Sequence, residues 1–503
     1  MAVMGGTGES NRELVKDLAP SAFFRFFAEI ADIPRASGNC GAMGDYLVAF
    51  AEARNLGHVR DAAGNVIVRA KARGTASTSG VILQAHQDMV ANKIPGSGHD
   101  FARDPIRFVR EGDWLRADGT TLGADNGAGL AAILAILDAA DLVHPPLEAL
   151  FTVDEETAMT GALAVRAHQL RGETLINLDS EDYGVALVSS AAGATHSLRL
   201  PVLRAGGAEG PLGRVVIGGL KGGHSGTEIA RGRANAFVLM ARFLADAAAR
   251  GVGFGLCAFD GGPVPVADNA IPSRAEAVLM FDTERRAEPL GRLASEWETV
   301  FRNEYRVADS GIRVSVAAGG GPAPAPIRAK SRDRLLAAIR LMPFGVVRFA
   351  RDGEAEKKPY RDLLVETSNN LGSARLETDA AILRTLTRGS VRSRLEETTG
   401  RIETLAKLVG GALRKENHFP GWETAHPRGR VQRLFADKGW KLVGVHAGLE
   451  CGVLVEELRR AGRTLDAISV GPDIAGGHTP EERLRIGSVE PFWRDLVATL
   501  AEL

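Results

Sequence analysis

Cysteine is scarce in this chain: 503 residues contain three, Cys40, Cys257 and Cys451. They are too few and too scattered for a disulfide framework or a thiolate zinc finger, and a reducing cytoplasm is the natural setting. Net charge is nearly absent too, with 61 Lys and Arg against 62 Asp and Glu. No global field would draw such a chain to nucleic acid or to an anionic membrane. Long apolar runs are missing as well. The longest, near Gly129 to Leu137, is too short to span a bilayer, and the start MAVMGGTGESNRELVKDL lacks a basic segment followed by an apolar one. Neither membrane insertion nor secretion is expected. No Walker A lysine pattern and no GxGxxG after a suitable strand occurs, which speaks against nucleotide binding. A Gly-x-Ser-x-Gly elbow is also missing, which weakens a serine hydrolase reading.

What is present is an ordinary globular balance, 45% hydrophobic and 24% charged, in a length that implies roughly two to four domains. Up to Leu178 strand-like and helix-like runs alternate. Helices are expected near Ala22 to Ala31, Gly41 to Arg54, Gly127 to Ala140 and Ala158 to Gln169; strands at Asn65 to Ala70, Val81 to Ala85, Leu147 to Val153 and Thr174 to Leu178. That order predicts an α/β fold with a mostly parallel sheet. After Gly184 the pattern turns to α+β, and from Leu395 the alternation resumes, with a helix expected at Thr399 to Leu413. The expected organisation is a catalytic domain in two parts, residues 1–190 and 395–503, with a lid or dimerisation domain, 191–394, inserted between them.

Five segments carry candidate chemistry. VILQAHQDMV puts His86 and Asp88 two apart at the end of a buried strand, where a period of two points both to one face. That suits a metal-bound imidazole with a carboxylate fixing its tautomer. GTTLGADNGAGLAA sets Asp125 at a Gly-rich turn into a helix, where helix capping would also explain it. In LEALFTVDEETAMTG an apolar strand runs into Asp154, Glu155 and Glu156. Such acids repel one another unless solvated or neutralised by a cation; in the second case one Glu binds metal and its neighbour takes a proton from the activated water. LINLDSEDYG ends its strand at Asp179, and ISVGPDIAGGHTPEER carries His478 in a late Gly-rich loop.

Each residue alone has a bland explanation. Together they lie just past the C-terminal ends of expected strands, positions that converge on one crevice in an open α/β sheet. Two imidazoles and three carboxylates, one shared, suit two divalent ions of the zinc, cobalt or manganese kind. Two such ions about 3.5–4 Å apart polarise a carbonyl and activate a water, which is machinery for amide hydrolysis. Separately, GLKGGHSGTEIARGRANA places His224 in a Gly-rich loop before a helix, a place where backbone N–H groups can bind an anion.

His86-Gln87-Asp88, GTTLGADNG, DEET with NLDSED, GLKGGHSG, VETSNNLG, HAGLECG and GGHTPEER occur in that order. Together they resemble the dinuclear metallopeptidases that include carboxypeptidases, aminoacylases and dipeptidases, and within them the bacterial aminoacyl-histidine dipeptidases. The likeness covers nearly the whole chain. It implies that Asp125 bridges two metals, with His86 and Asp179 completing one site and Glu156 and His478 the other. Asp88 would clamp the His86 ring, and Glu155 would be general base and then general acid. The inserted domain would make a homodimer, His224 would reach into the partner's site to polarise the scissile carbonyl, and Arg392 in SVRSR would hold the substrate carboxylate. The substrate would be a dipeptide, Xaa-His or carnosine-like; the alternatives are an N-acyl-amino-acid deacylase or tripeptidase with the same ligands, and a non-catalytic peptide-binding homologue, which predicts loss of the base or of ligands. Two departures stand out: the family usually has Met at Gln87 and Ala-His-Ser at Gly477-His478-Thr479.

Overall fold

The structure, a computed structural model, describes residues 10–206, 209–261, 269–283, 287–319, 322–350, 363–423 and 428–503. It forms two compact units. One contains Met1–Ser190, Trp422–Gly444 and Leu449–Leu503; the other contains Ala191–Gly421 and Val445–Gly448.

In the first unit an eight-stranded sheet runs in the order Gly57–Arg60, Val66–Ala70, Leu147–Thr152, Val81–His86, Thr174–Asn177, Asp466–Ser469, Val185–Ser190, Lys441–Val445. The run from Leu147–Thr152 to Asp466–Ser469 is parallel. Antiparallel partners flank it on both sides. Val81–His86, Leu147–Thr152 and Thr174–Asn177 are buried at every position, as parallel strands covered on both faces must be. Ser21–Ala31 and Ala124–Asp138 pack together, and the latter also lies on Val81–His86. The small residues of Ala124–Asp138 permit that close approach. A Cβ at Gly129 would sit 2.6 Å from the Leu178 carbonyl and 3.0 Å from the Ala85 side chain. A smaller sheet, in the order Ile474–Ala475, Arg483–Arg485, Trp114–Ala117, Phe108–Glu111, ties the late loop of His478 to an early hairpin.

The second unit has a five-stranded sheet in the order Gly345–Phe349, Val365–Leu376, Ala380–Gly389, Ala192–Pro201, Ala412–Phe419 and a four-stranded antiparallel sheet in the order Gly255–Asp260, Ala275–Met280, Leu212–Gly218, Arg313–Ala318. The helix Ala236–Ala249 starts at Asn235, whose side-chain oxygen accepts from the N–H groups of Phe237 and Val238. Its core gathers Phe237, Phe243, Phe259 and Phe301.

Three expectations need correction. The helix expected over Ala158 to Gln169 is broken into Glu155–Ala158, Thr160–Ala164 and a short 3-10 turn; Met159, with φ 53°, separates the first two. The helix expected at Thr399 to Leu413 spans Arg392–Leu408 and stops before Gly410, which has φ 70°. The Gly410-Gly411 pair was the missed stop signal. Beyond it Ala412–Phe419 pairs antiparallel with Ala192–Pro201. Residues 395–421 thus fall in the inserted unit, and the chain returns to the first unit at Trp422 rather than at 395. Among the described residues no helix is long and apolar enough to cross a membrane.

Candidate metal centre

The acidic cluster forms where the parallel strands end. His86 closes its strand, Glu155 and Glu156 follow the strand Leu147–Thr152, and Asp179 follows Thr174–Asn177. Asp125 enters from the turn into Ala124–Asp138, whose first peptide after Asp125 is cis. His478 comes from the Gly-rich loop, at φ 64°.

Asp125 is the centre of the arrangement. Its Oδ1 lies 3.0 Å from His86 Nε2 and its Oδ2 lies 3.2 Å from His478 Nε2. His86 Nε2 is also 3.3 Å from Asp179 Oδ1, and His478 Nε2 is 3.0 Å from Glu156 Oε2. Each oxygen of one carboxylate therefore faces a different imidazole, and each imidazole has a second carboxylate beside it. His86, Asp125 and Glu156 offer ligand atoms all within 4.8 Å of one another. Asn126 donates its amide to Asp179 and to the Leu178 carbonyl, which fixes the Asp179 carboxylate.

Asp88 does more than orient one ring. Its Oδ1 lies 3.3 Å from His86 Nδ1 and accepts from the Glu155 N–H at 3.1 Å. Its Oδ2 accepts from Ser37 Oγ at 2.8 Å and from the Glu156 N–H at 3.3 Å. Burial would raise this carboxyl, yet His86, Ser37 and the Glu155 N–H hold it down to about 2. One carboxylate thus aligns an imidazole and both adjacent glutamates.

Burial opposes a charged ring, yet Asp179, Asp125 and Asp88 raise His86 well above its ordinary value, and Asp125 and Glu156 raise His478 to about 11. The carboxylates thus favour positive charge at both imidazoles, a charge that protons or divalent ions can supply. The same demand appears in the surrounding acids. Burial pushes Glu155 well above its ordinary value, with Asp179, Glu156 and Glu450 adding to the push. Burial and the neighbouring Asp125 and Asp179 push Glu181 up to about 8. Glu156 Oε1 is buried without a hydrogen-bond partner. His, Asp and Glu with no Cys are a donor set for hard or borderline divalent ions, and these residues fit such ions.

Gly477 lies against the end of the Glu181 side chain. A Cβ there would come within 2.6 Å of Glu181 Oε1. Gln87, where the family has Met, donates to the Gly64 and Phe151 carbonyls instead of lining the cluster.

His224 and Arg392 lie in the second unit. The His224 Nδ1 accepts from the Thr227 N–H at 3.1 Å, which leaves Nε2 carrying the proton. Arg392 is exposed, 75% for the side chain, and pairs with Glu396 one turn on. Four residues earlier stands a different arginine. Arg388 is 5% exposed, and its Nη2 lies 3.5 Å from His224 Nε2. Among the described residues no carboxylate pairs with it, and burial lowers its pKa to about 10. With the proton on Nε2, the contact brings two donor groups together and is not a hydrogen bond between them. Beside them His446 Nε2 meets Ser368 Oγ at 2.8 Å. The sequence reading passed over Arg388, although a basic residue inside the apolar alternation of Ala380–Gly389 was a visible anomaly.

Residues 217–309 match the M20 peptidase dimerisation domain. Over 498 residues the chain is 33% identical to the cytosol non-specific dipeptidase of Escherichia coli, covering 97% of this chain and 99% of that one. Its structure is similar to the aminoacylhistidine dipeptidase of Vibrio alginolyticus, with a TM-score of 0.80 at 32% identity over 97% of this chain and 98% of the other. It shares a fold with the aminopeptidase PepT of Bacillus cereus, with a TM-score of 0.58 at 16% identity over 96% and 99% of the two chains. Full-length identity of that order, with an acidic cluster fit for divalent ions at the strand ends, makes this chain a member of the M20 family of metallopeptidases, a peptide hydrolase of mixed α/β architecture.

Proposed function

We propose that this protein hydrolyses dipeptides with a free C-terminal carboxylate, Xaa-His dipeptides among them, in the cytoplasm and as a homodimer assembled through the inserted unit. The observation that carries the reading is Asp125, with one oxygen toward His86 and the other toward His478. His86 and Asp179 would hold one divalent ion, Glu156 and His478 a second, with Asp125 shared; zinc suits the donors, and cobalt and manganese are alternatives. When bound, such ions polarise a peptide carbonyl and make a water acidic enough to lose its proton near neutral pH.

The remaining work falls to the side chains. Glu155 takes the proton of the attacking water and gives it to the amine as the C–N bond breaks. Its backbone is tied to Asp88, so its carboxyl keeps a fixed relation to His86. For the substrate carboxylate we replace Arg392 by Arg388, because a buried guanidinium without an acidic partner is a site for an anion. His224 keeps the role of polarising the scissile carbonyl in the partner subunit's site, its Nε2–H being a donor beside Arg388. Relatives described as a non-specific dipeptidase and an aminoacylhistidine dipeptidase support the substrate class.

The test is a panel of dipeptides, tripeptides and N-acyl amino acids assayed with zinc, cobalt and manganese. Dipeptides, with Xaa-His among the good substrates, are expected to dominate. Faster turnover of N-acyl amino acids or tripeptides would overturn the choice.

A further inference from the structure

Beneath the cluster lie two buried charged side chains with no role in the chemistry above, Arg35 at 3% exposure and Glu482 at 2%. Arg35 donates through Nη1 to the carbonyls of Gln87 at 3.1 Å and Asp88 at 2.7 Å, and through Nη2 to the Gly123 carbonyl. Glu482 Oε2 accepts from the N–H groups of Leu122 and Gly123, both at 2.9 Å, and Oε1 accepts from the Asp125 N–H at 3.1 Å. The turn that presents Asp125 is thus gripped from both polar sides, its carbonyl by Arg35 and its N–H groups by Glu482.

The grip also joins distant segments. Arg35 fixes the backbone just past His86. Glu482 stands four residues after His478, on the loop between the short strands Ile474–Ala475 and Arg483–Arg485. Asn92 Nδ2 donates to the His478 carbonyl at 2.7 Å, where the backbone is left-handed.

We propose that Glu482, braced by Arg35, is the positioning residue that sets the spacing of the two cation sites by locking the loop of His478 to the turn of Asp125. The proposal rests on the two-cation reading given above. Glu482→Gln puts an amide NH2 where a carboxylate oxygen accepts N–H groups, so at least one of the three bonds is lost and the loop is pushed away. Asp125 and His478 shift together, because both depend on elements that Glu482 joins, so the site of Glu156 and His478 loses the alignment of two ligands and the other site that of Asp125 alone. His86 and Asp179 stand at strand ends that Glu482 does not touch.

The experiment is zinc titration against a competing chelator, with metal content and circular dichroism, on the parent, Glu482→Gln and Asn92→Ala. The parent is expected to bind two equivalents. Glu482→Gln should keep one tight equivalent and weaken the other about 10- to 100-fold, while the metal-free protein keeps its fold. Asn92→Ala should weaken the same equivalent by less. Two equivalents at parent affinity in folded Glu482→Gln would overturn the proposal, as would equal loss of both. If Glu482→Gln does not fold, Asn92→Ala decides, and unchanged affinity for both equivalents overturns it. A parent that binds fewer than two ions would instead bring down the two-cation reading, and this proposal with it.

Discussion

At the scale of single residues, the adjacent glutamates separate by what they touch. Glu156 Oε2 faces His478, whereas Glu155 is half-buried, and desolvation and the acids around it push its carboxyl up. Glu155→Gln keeps the shape and removes the base, so turnover should fall by about 10²–10⁴ with metal content nearly unchanged. Asp125→Ala should lose metal, and equal metal loss in both variants would contradict the division of roles. For the two arginines the contrast is between burial and exposure. Arg388→Lys, which loses the planar fork, should raise KM for dipeptides by roughly tenfold or more with little effect on dipeptide amides. Arg392→Ala should leave both parameters within about twofold, since an exposed i,i+4 pair is worth little. A larger KM effect from Arg392 would reverse the assignment.

At the scale of elements, the site depends on one helix seated hard against the strand ends. Gly129 makes this possible, for a Cβ there would collide with Asn126 Oδ1 as well as the Leu178 carbonyl. Asn126 is also the residue that holds Asp179. Gly129→Ala should therefore destabilise the fold by about 1–3 kcal/mol and weaken metal binding with it; a thermal midpoint and metal affinity equal to the parent's would refute the coupling. The strands of the parallel sheet were legible because each is a short apolar run bounded by turn residues. The helix break at Met159 was not, since nothing in AMTGALA signals a left-handed backbone at a methionine. Nor was the strand Ala412–Phe419, whose burial alternates weakly and whose identity depends on its pairing with the distant strand Ala192–Pro201.

At the scale of the molecule, metal and protons should both act on stability. Ions that neutralise the acids bind the folded chain alone, which is worth about 2.7 kcal/mol at a hundredfold excess over Kd. A chelator should lower the thermal midpoint, and zinc should restore it; a midpoint indifferent to both would count against the cation site. His446 gives a separate pH signature. Burial, with Arg388 beside it, pushes its imidazole down from 6.5 to about 3. Between those values the unfolded chain binds the extra proton, so this contribution is whole above pH 6.5 and is lost as pH falls toward 3. His446→Gln should flatten that part of the acid-side stability curve, and an unchanged slope would show that His446 does not carry it.

The mostly parallel α/β fold was legible in the amino-acid sequence, as was the place of His86, Glu155, Glu156 and Asp179 at or just past strand ends. Strand periodicity and strand-end position are local facts, and the motif order supplied the rest. It took the folded chain to show that each Asp125 oxygen faces its own imidazole, that Asp88 aligns both glutamates with His86, and that Arg388 rather than Arg392 is buried. It also revealed the grip of Arg35 and Glu482 on one turn. Those features join residues that lie far apart in the chain, from 39 positions for His86 and Asp125 to 359 for Glu482 and Gly123. Their geometry is set by packing, which no local pattern records.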